Sequence, residues 1–176
     1  MRLLLVRHPR PDIDPGTCYG RSDVAVDNDD LLRVCATLPA GLPTWSSPLI
    51  RCASLARALH PPQLRFDARL AEMDFGAWEL RSWDSIPHLE VDAWADDLLH
   101  YRPGGGESVL EVAHRVAAFR DDLYKEGHAQ ALVICHAGTI RLLRALHTGL
   151  PLEAAALEAA RTPHRIAYGE MLALGD

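Results

Sequence analysis

Residues 3–12 of the chain are LLLVRHPRPD. Four aliphatic residues lead directly into Arg7 and His8, and two prolines then stop any regular element. A short apolar run that ends in this way is typical of a buried parallel strand rather than a helix. The stretch therefore predicts a first strand over Arg2–Val6 whose carboxyl end presents two side chains able to carry positive charge.

Short apolar runs alternate with helical patterns along most of the chain. Further strands are predicted at Thr44–Ser47, Gln63–Phe66, Ala131–Cys135 and, at a sheet edge, Ile166–Leu174. Helices are predicted over about 27–37, 47–60, 109–126, 139–147 and 152–160, with another inside 83–100. This alternation predicts an α/β three-layer sandwich, in which helices flank a mostly parallel central sheet.

Two of these helices have recognisable starts. Ser47-Pro48 would place serine at the cap and proline at the first helical position. Ser108 and Glu111 match a capping box. We predict one domain over residues 1–176, with a less regular excursion over about 67–106.

Composition excludes several classes of function. The 176 residues carry a formal net charge of −6, which argues against nucleic acid or an anionic membrane as the main partner. No apolar run approaches the roughly 18 residues of a transmembrane helix, and a strand starting beside Met1 leaves no room for a signal peptide. The four cysteines lack the spacing of a zinc site or a disulfide framework. We therefore expect a cytoplasmic protein with reduced thiols, mostly in its core.

Basic side chains follow the ends of three predicted strands. Arg7 and His8 end the first strand, the second leads into a helix that carries Arg51, and His136 follows the strand ALVIC. Ligands of open α/β sheets bind beyond the carboxyl ends of the strands. We therefore expect these four side chains to converge there, beside the positive ends of helices.

This cluster predicts a binding site for a phosphoryl group. Arginine matches phosphoryl oxygens with a planar fork, and histidine is a competent nucleophile near neutral pH. The small residues Ala137 and Gly138 would let the anion approach the backbone. A leaving alkoxide also needs a proton, for which Glu72 is the candidate donor, in a partly apolar setting expected to raise its pKa.

Five motifs in order resemble those of the histidine phosphatase superfamily, also called phosphoglycerate mutase-like. They are RHP at 7–9, SPLIRCASLA at 47–56, LAEMDFGAWE at 70–79, PGGGES at 103–108 and CHAG at 135–138. The resemblance implies the phosphoglycerate mutase-like fold and a metal-independent phosphatase that needs no cofactor. It also implies that His8 becomes a phosphohistidine, that Arg7, Arg51 and His136 hold the phosphoryl oxygens, and that Glu72 protonates the leaving group and then activates water.

Within the superfamily, CYGRSD at 18–23 and FGAWE at 75–79 look most like the α-ribazole phosphatases of cobalamin synthesis. This resemblance implies hydrolysis of a small phosphorylated metabolite, with α-ribazole 5′-phosphate as a candidate. Arg10, Tyr19 and Arg21 are candidate substrate contacts, with plain loop roles as the alternative. The sequence leaves the oligomeric state open, a homodimer included.

The chain departs from the family pattern in two places. Pro9 replaces the usual glycine, and RPDID at 10–14 replaces a Glu-Ser/Thr-x-x-Asn segment that helps mutases bind substrate. The second departure argues against mutase activity. A phosphohistidine-protein phosphatase is an alternative that Glu72 disfavours, and a non-catalytic phospho-ligand binding protein is an alternative that Pro9 keeps open.

Other residues have structural interpretations beside functional ones. Phe75, Trp78, Trp83 and Trp94 suit core packing, or a pocket for an aromatic leaving group. The glycines of PGGGES predict a hinge-like loop that turns Glu107 and Ser108 toward the site, with capping as the alternative for Ser108. No functional role is expected for His60, His88, His100, His114, His128, His147 and His164.

Overall fold

A mixed five-stranded sheet organises the part of the chain that the computed structural model describes, residues 1–163 and 165–175. The expectation for His164 lies outside these residues. The strands are β1 (Arg2–Arg7), β2 (Thr44–Ser46), β3 (Leu64–Phe66), β4 (Gln130–Cys135) and β5 (Met171–Leu174), in the order β3-β2-β4-β1-β5. All neighbours are parallel except β5, which pairs antiparallel with β1 at the edge.

Helices cover both faces of the sheet. They are α1 (Asn28–Cys35), α2 (Ile50–Ala58), α3 (His88–Asp96), α4 (Val109–Lys125), α5 (Ala137–His147) and α6 (Leu152–Arg161). Leu3 and Leu5 of β1 belong to the apolar core formed with α4, α5 and α6, whereas Leu4 and Val6 belong to the core formed with α1 and α2. A strand buried on both faces has to be apolar throughout, which is why LLLV is continuous. The predicted three-layer sandwich is confirmed.

The predicted start of α2 is wrong by two residues. Its first helical residue is Ile50 and Leu49 is the cap, so Ser47 and Pro48 precede the helix. Ser47 instead extends the pairing of β2 with β4, because its N–H donates to the Ile134 carbonyl at 2.9 Å. Its hydroxyl accepts from the N–H of Leu49 at 3.3 Å and also contacts a side chain of the site described below.

The capping box at the start of α4 is confirmed. The Ser108 hydroxyl accepts from the N–H of Glu111 at 3.2 Å, and the Glu111 carboxylate accepts from the N–H of Ser108 at 2.8 Å. Glu107 pairs with Arg115, whose Nε donates to its carboxylate at 2.9 Å. The prediction that Glu107 and Ser108 face the site is therefore wrong, because both side chains are used in anchoring this segment.

The glycine loop at 104–106 is a packing contact rather than a hinge. A Cβ at Gly76 would lie 2.2 Å from the Gly104 carbonyl oxygen, and one at Gly106 would lie 2.1 Å from the Asp74 carbonyl oxygen. Backbone therefore packs directly on backbone here, which only residues without a side chain allow. The contact holds the two ends of the irregular segment 67–106 together.

All four cysteines lie in the described residues as free thiols, three of them buried. Across residues 1–163 and 165–175, the structure has no helix that is both long and apolar enough to cross a membrane.

The capping box gives a test of the fold. Ser108→Ala should lower the free energy of unfolding by about 1 kcal/mol, because an N-terminal amide of α4 loses its acceptor. Urea denaturation measures the change, and Ser108→Thr, which keeps the hydroxyl, should retain most of the stability. Equal stability of wild type and Ser108→Ala would contradict the assignment.

Candidate active site

A cavity of about 350 Å³ opens at the carboxyl edge of the sheet. Predicted site residues that line it are Arg7, His8, Tyr19, Arg51, Glu72, Ala137 and Gly138. They come from the end of β1, the first turns of α2 and α5, and two loops. The expected convergence at this edge therefore occurs, although His136, Arg10 and Arg21 are not in the lining.

The ring of His8 is held in one tautomer. It follows β1 directly, is 2% exposed, and has Nδ1 at 2.7 Å from the carbonyl oxygen of Pro9. Because a carbonyl only accepts, Nδ1 carries the proton and Nε2 keeps its lone pair. Pro9 lacks the N–H of the usual glycine but retains the carbonyl that orients His8.

The surroundings of His8 keep its imidazole neutral. Burial is the main cause that lowers its pKa, and the positive charges of Arg51 and Arg7 lower it further, against an opposing effect of the bond to Pro9. Together these effects bring the pKa of His8 from its ordinary 6.5 to about 3. A neutral imidazole with a free Nε2 is a nucleophile at physiological pH.

Arg51 is a fully buried cation in the first turn of α2. Its Nη1 and Nη2 donate to the carbonyls of Ser22 and Gly20 at 2.7 and 2.5 Å. Its guanidinium carbon also lies 5.3 Å from the centre of the Tyr19 ring. The loop around residues 19–22 thus fixes Arg51, while its buried Nε has no partner among the described residues.

Arg7 is fixed by the segment that precedes β5. Its Nη1 donates to the Ile166 carbonyl at 2.5 Å, and its guanidinium stacks 3.9 Å from the ring centre of Tyr168. The hydroxyls of Tyr168 and Tyr19 are 3.0 Å apart, which connects the supports of both arginines. Sequence reasoning missed Tyr168, since a strand was predicted from Ile166 where the structure begins β5 at Met171.

His136 lies next to His8 and outside the cavity lining. It is fully buried at the cap of α5, and the two imidazole centres are 5.2 Å apart. Its Nε2 contacts the Ser47 hydroxyl at 2.8 Å and the Cys52 sulfur at 3.5 Å. Burial, aided by Arg51 and His8, holds the pKa of His136 well below its usual value. The structure thus places a second neutral imidazole against the first.

Glu72 reaches the site from the loop after β3 and is held by two amides. Its Oε2 accepts from the N–H of Gly138, and its Oε1 accepts from the N–H of Met73, both at 3.1 Å. A Cβ on residue 138 would lie 2.5 Å from Oε1. Gly138 was expected to let an anion approach the backbone, and the group that approaches it is this carboxylate.

Arg10 and Arg21, predicted as candidate substrate contacts, lie in loops outside the cavity lining. Arg10 is exposed, and its backbone N–H donates to Asp30 at 2.7 Å. The Arg21 side chain is 58% exposed and lies 4.0 Å from Asp74. Neither side chain belongs to the cavity lining.

Glu79 was missed as an organiser of the site. Its carboxylate accepts from the backbone N–H groups of Gly20, Arg21 and Ser22 at 2.9–3.1 Å. Burial raises the pKa of Glu79, but the Ser22 hydroxyl and the backbone N–H groups of Gly20, Phe75 and Arg21 outweigh it and bring that pKa below its ordinary value. Carbonyls of the same loop accept from the guanidinium of Arg51, so Glu79 positions a residue that it does not touch.

The far end of the cavity is aromatic. Phe75, Trp83 and Trp94 line it, and the last two stack with ring centres 6.5 Å apart, whereas Trp78 is fully buried in the core. Arg141 also lines the cavity and was missed, although it follows Gly138 by one helical turn and so shares its face of α5.

No group of three or more histidine, cysteine, aspartate or glutamate side chains that could hold a metal ion occurs in residues 1–163 and 165–175.

Comparison with known proteins identifies one superfamily and several similar phosphatases. A model of the histidine phosphatase superfamily (branch 1) matches residues 3–162. The adenosylcobalamin/alpha-ribazole phosphatase of Escherichia coli is 30% identical over 167 residues, which cover 88% of this chain and 82% of the relative. A candidate phosphoserine phosphatase of Hydrogenobacter thermophilus is 30% identical over 164 residues, covering 86% and 81%.

A solved structure extends this similarity to the fold. The crystal structure of the alpha-ribazole phosphatase from Shigella flexneri superposes with a TM-score of 0.82 at 25% identity, covering 98% of this chain and 89% of that one. The predicted phosphoglycerate mutase-like fold is confirmed.

The neutral state of His8 can be tested directly. Nitrogen-15 NMR should show the Nδ1–H tautomer, with no titration between about pH 5 and pH 8, because burial and two arginines exclude the extra proton. The assignment can be made by comparison with His8→Gln. A titration midpoint near the ordinary histidine value would contradict the proposed environment.

Gly138→Ala should separate activity from stability. The new methyl group would push the Glu72 carboxylate away, and such a displacement can lower turnover about a hundredfold. Alanine is at the same time the better helix former by up to about 1 kcal/mol, so the melting temperature should stay close to that of the wild type. Unchanged turnover of an alkyl phosphate would show that the position of Glu72 is unimportant.

Proposed function

Because the chain belongs to the histidine phosphatase superfamily, we propose that it is a phosphomonoester hydrolase with His8 as the nucleophile. This proposal rests on the geometry of the His8 imidazole. Nδ1 of His8 donates to the Pro9 carbonyl, which leaves Nε2 with a lone pair, and Arg7 and Arg51 line the same cavity. A nucleophile and a cationic frame are the two requirements of phosphoryl transfer through a phosphohistidine.

In the first step, Nε2 of His8 attacks phosphorus in line with the leaving oxygen. The N–P bond forms as the P–O bond to the leaving group breaks. Arg7 and Arg51 neutralise charge on the phosphoryl oxygens, and their guanidiniums need no rearrangement because backbone carbonyls already hold them. The second imidazole, His136, packs against the ring of His8 with ring centres 5.2 Å apart.

Glu72 serves both halves of the cycle. As an acid it transfers its proton to the departing alkoxide, and the resulting carboxylate is stabilised by the amides of Met73 and Gly138. As a base it then takes a proton from the water that attacks the phosphohistidine, which regenerates free His8 and the protonated acid. This cycle supplies nucleophile, acid and cations from side chains alone, so we propose that it needs no metal.

The substrate is a small phosphorylated metabolite, and α-ribazole 5′-phosphate is our first candidate. Two relatives are named for alpha-ribazole, and the aromatic end of the cavity suits a flat leaving group. Phosphoserine, suggested by another relative's name, is less well matched. Its ammonium group would need an anionic partner, and Glu72 is the one carboxylate in the described lining.

The two alternative functions have less support. A phosphohistidine-protein phosphatase would have to admit a histidine side chain on a protein, whereas the reactive ring here lies in a cavity that the 67–106 segment lines on one side with Glu72, Phe75 and Trp94. The non-catalytic alternative depended on Pro9, and the interaction that orients His8 uses a carbonyl that proline retains.

Replacement of the nucleophile tests the proposal. His8→Ala should lower the hydrolysis of α-ribazole 5′-phosphate and of p-nitrophenyl phosphate by a factor of about 10³ or more. Wild-type turnover should persist in EDTA. His60→Ala, an exposed histidine far along the chain, is the matched control. Residual activity of His8→Ala near the wild-type level would exclude the mechanism.

Glu72→Gln tests the proton donor. The amide keeps the shape of the side chain but cannot supply the proton, so an alkyl phosphate should lose about 10²–10⁴-fold in its rate of enzyme phosphorylation. The p-nitrophenyl ester, whose leaving group needs no proton, should lose far less in a single-turnover assay. Equal losses for both esters would contradict the role of Glu72 as an acid.

A further inference from the structure

The proton donor of the proposed mechanism lies in a loop without regular structure. Glu72 follows a short 3₁₀ turn over Ala68–Leu70, and residues 71–75 belong to no helix or strand. Within the described residues, no backbone N–H donates to the carbonyls of Arg69, Ala71 or Glu72. Because an acid has to stay within hydrogen-bond reach of the leaving oxygen, other groups must fix this loop.

Arg115, in the middle of α4, supplies donors to the loop. Its Nη1 donates to the carbonyls of Arg69 and Ala71, both at 2.7 Å. Its Nη2 donates to the carbonyl of Glu72 at 3.2 Å. One planar guanidinium thus binds three carbonyls in a stretch of four residues that ends on the acid, and it replaces the backbone partners that the loop lacks.

Glu107 fixes Arg115 and also bonds to the loop beyond the acid. Its carboxylate oxygens accept from Nε and Nη2 of Arg115, both at 2.9 Å. Oε2 accepts in addition from the N–H of Asp74 at 3.0 Å, and the N–H of Glu107 donates to the Asp74 carbonyl at 2.8 Å. The pair therefore holds the main chain on both sides of Glu72.

The Arg115–Glu107 pair lies outside the cavity. Both side chains are 18% exposed, and neither belongs to the lining. A charged pair joined by two parallel hydrogen bonds has a well-defined geometry. Since the pair does not face a substrate in the cavity, its effect on the reaction has to pass through the loop that it holds.

We propose that Arg115 and Glu107 are positioning residues for Glu72 and thereby set the range of leaving groups that the enzyme accepts. The inference rests on the proposed function, because it concerns proton transfer in the first step. Amides of Met73 and Gly138 orient the carboxyl group, and the Arg115–Glu107 pair fixes the main chain that carries it. Esters of alcohols, whose leaving oxygen needs the proton, depend on the pair, whereas esters of acidic phenols do not.

Arg115→Lys tests the inference through a ratio of two esters. Lysine keeps a positive charge beside Glu107, but its single ammonium group cannot reproduce the planar fork that binds the carboxylate and three carbonyls together. In a single-turnover assay, phosphorylation of the enzyme by α-ribazole 5′-phosphate, an alkyl ester, should slow by about 10–10²-fold, because the acid is displaced. Phosphorylation by p-nitrophenyl phosphate should slow by less than about threefold, since that leaving group needs no proton.

Glu107→Gln is a second test that does not alter Arg115. The amide keeps the shape of the side chain and can still accept from the N–H of Asp74, but it loses the charge that fixes the guanidinium. The ratio of the two esters should move in the same direction as in Arg115→Lys. This variant keeps the inference testable if Arg115→Lys yields little folded protein.

Arg120→Lys is the matched control. Arg120 also lies on α4, with its side chain 21% exposed, and bonds to Asp121 and to the Leu146 carbonyl. Within the described residues, none of its hydrogen bonds goes to the loop that carries Glu72. The ester ratio of Arg120→Lys should equal that of the wild type. Both esters are measured on one preparation, so a loss of folded enzyme cancels.

The same substitution in the Glu72→Gln background separates positioning of the acid from a general effect on the site. With no acid left to displace, Arg115→Lys should leave the ester ratio of Glu72→Gln unchanged. A structural role alone would slow both esters by the same factor in either background.

Three results would refute the positioning role and leave the proposed function standing. They are a wild-type ratio in both Arg115→Lys and Glu107→Gln, equal slowing of the two esters, and a change of ratio that persists in the Glu72→Gln background. Wild-type turnover by His8→Ala, or failure of the wild-type protein to hydrolyse either ester, would instead refute the proposed function, and the inference with it.

Discussion

The arrangement depends on keeping an imidazole neutral among positive charges. His8 is buried beside Arg51 and Arg7, so the same guanidiniums that would neutralise a phosphoryl group also exclude a proton from the ring. The Pro9 carbonyl then decides which nitrogen carries the single remaining proton. One short backbone contact thereby leaves the opposite nitrogen available for attack on phosphorus.

Supports for this cluster come from distant parts of the chain. Arg7 is held by the segment that precedes β5, and Arg51 is held by a loop that Glu79 in turn organises. Two tyrosine hydroxyls 3.0 Å apart join these supports. Because the guanidiniums are fixed in advance, binding of an anion requires little ordering of side chains, which is the condition for effective electrostatic catalysis.

Much of the fold could be predicted because the strands are short, apolar and clearly interrupted. The convergence of Arg7, His8 and Arg51 could also be predicted, because parallel strands bring their carboxyl ends to one edge of the sheet. The predicted start of α2 was wrong because serine is a common helix cap. Ser47 instead bonds to β4 through its backbone N–H and to His136 through its hydroxyl. That competition between a local and a tertiary partner is invisible in one sequence.

The site residues that sequence reasoning missed were also positioned by contacts between remote segments. Tyr168 acts through the antiparallel pairing of β5 with β1, and Arg141 acts through the packing of α5 on α6, neither of which leaves a local pattern. His136 was predicted at the correct edge, yet it is buried beside His8 in contact with Ser47 and is not part of the lining. Register and layer packing, which set these positions, depend on contacts between remote segments.

The most direct measurement is the position of the phosphoryl group on a trapped intermediate. Rapid quenching of the enzyme with labelled substrate in alkali, followed by mass spectrometry and phosphorus-31 NMR, identifies both the residue and the ring nitrogen. The account predicts phosphate on Nε2 of His8, stable in alkali and lost in acid. Phosphate on Nδ1 or on another residue, or product formation with no phosphoenzyme, would contradict it.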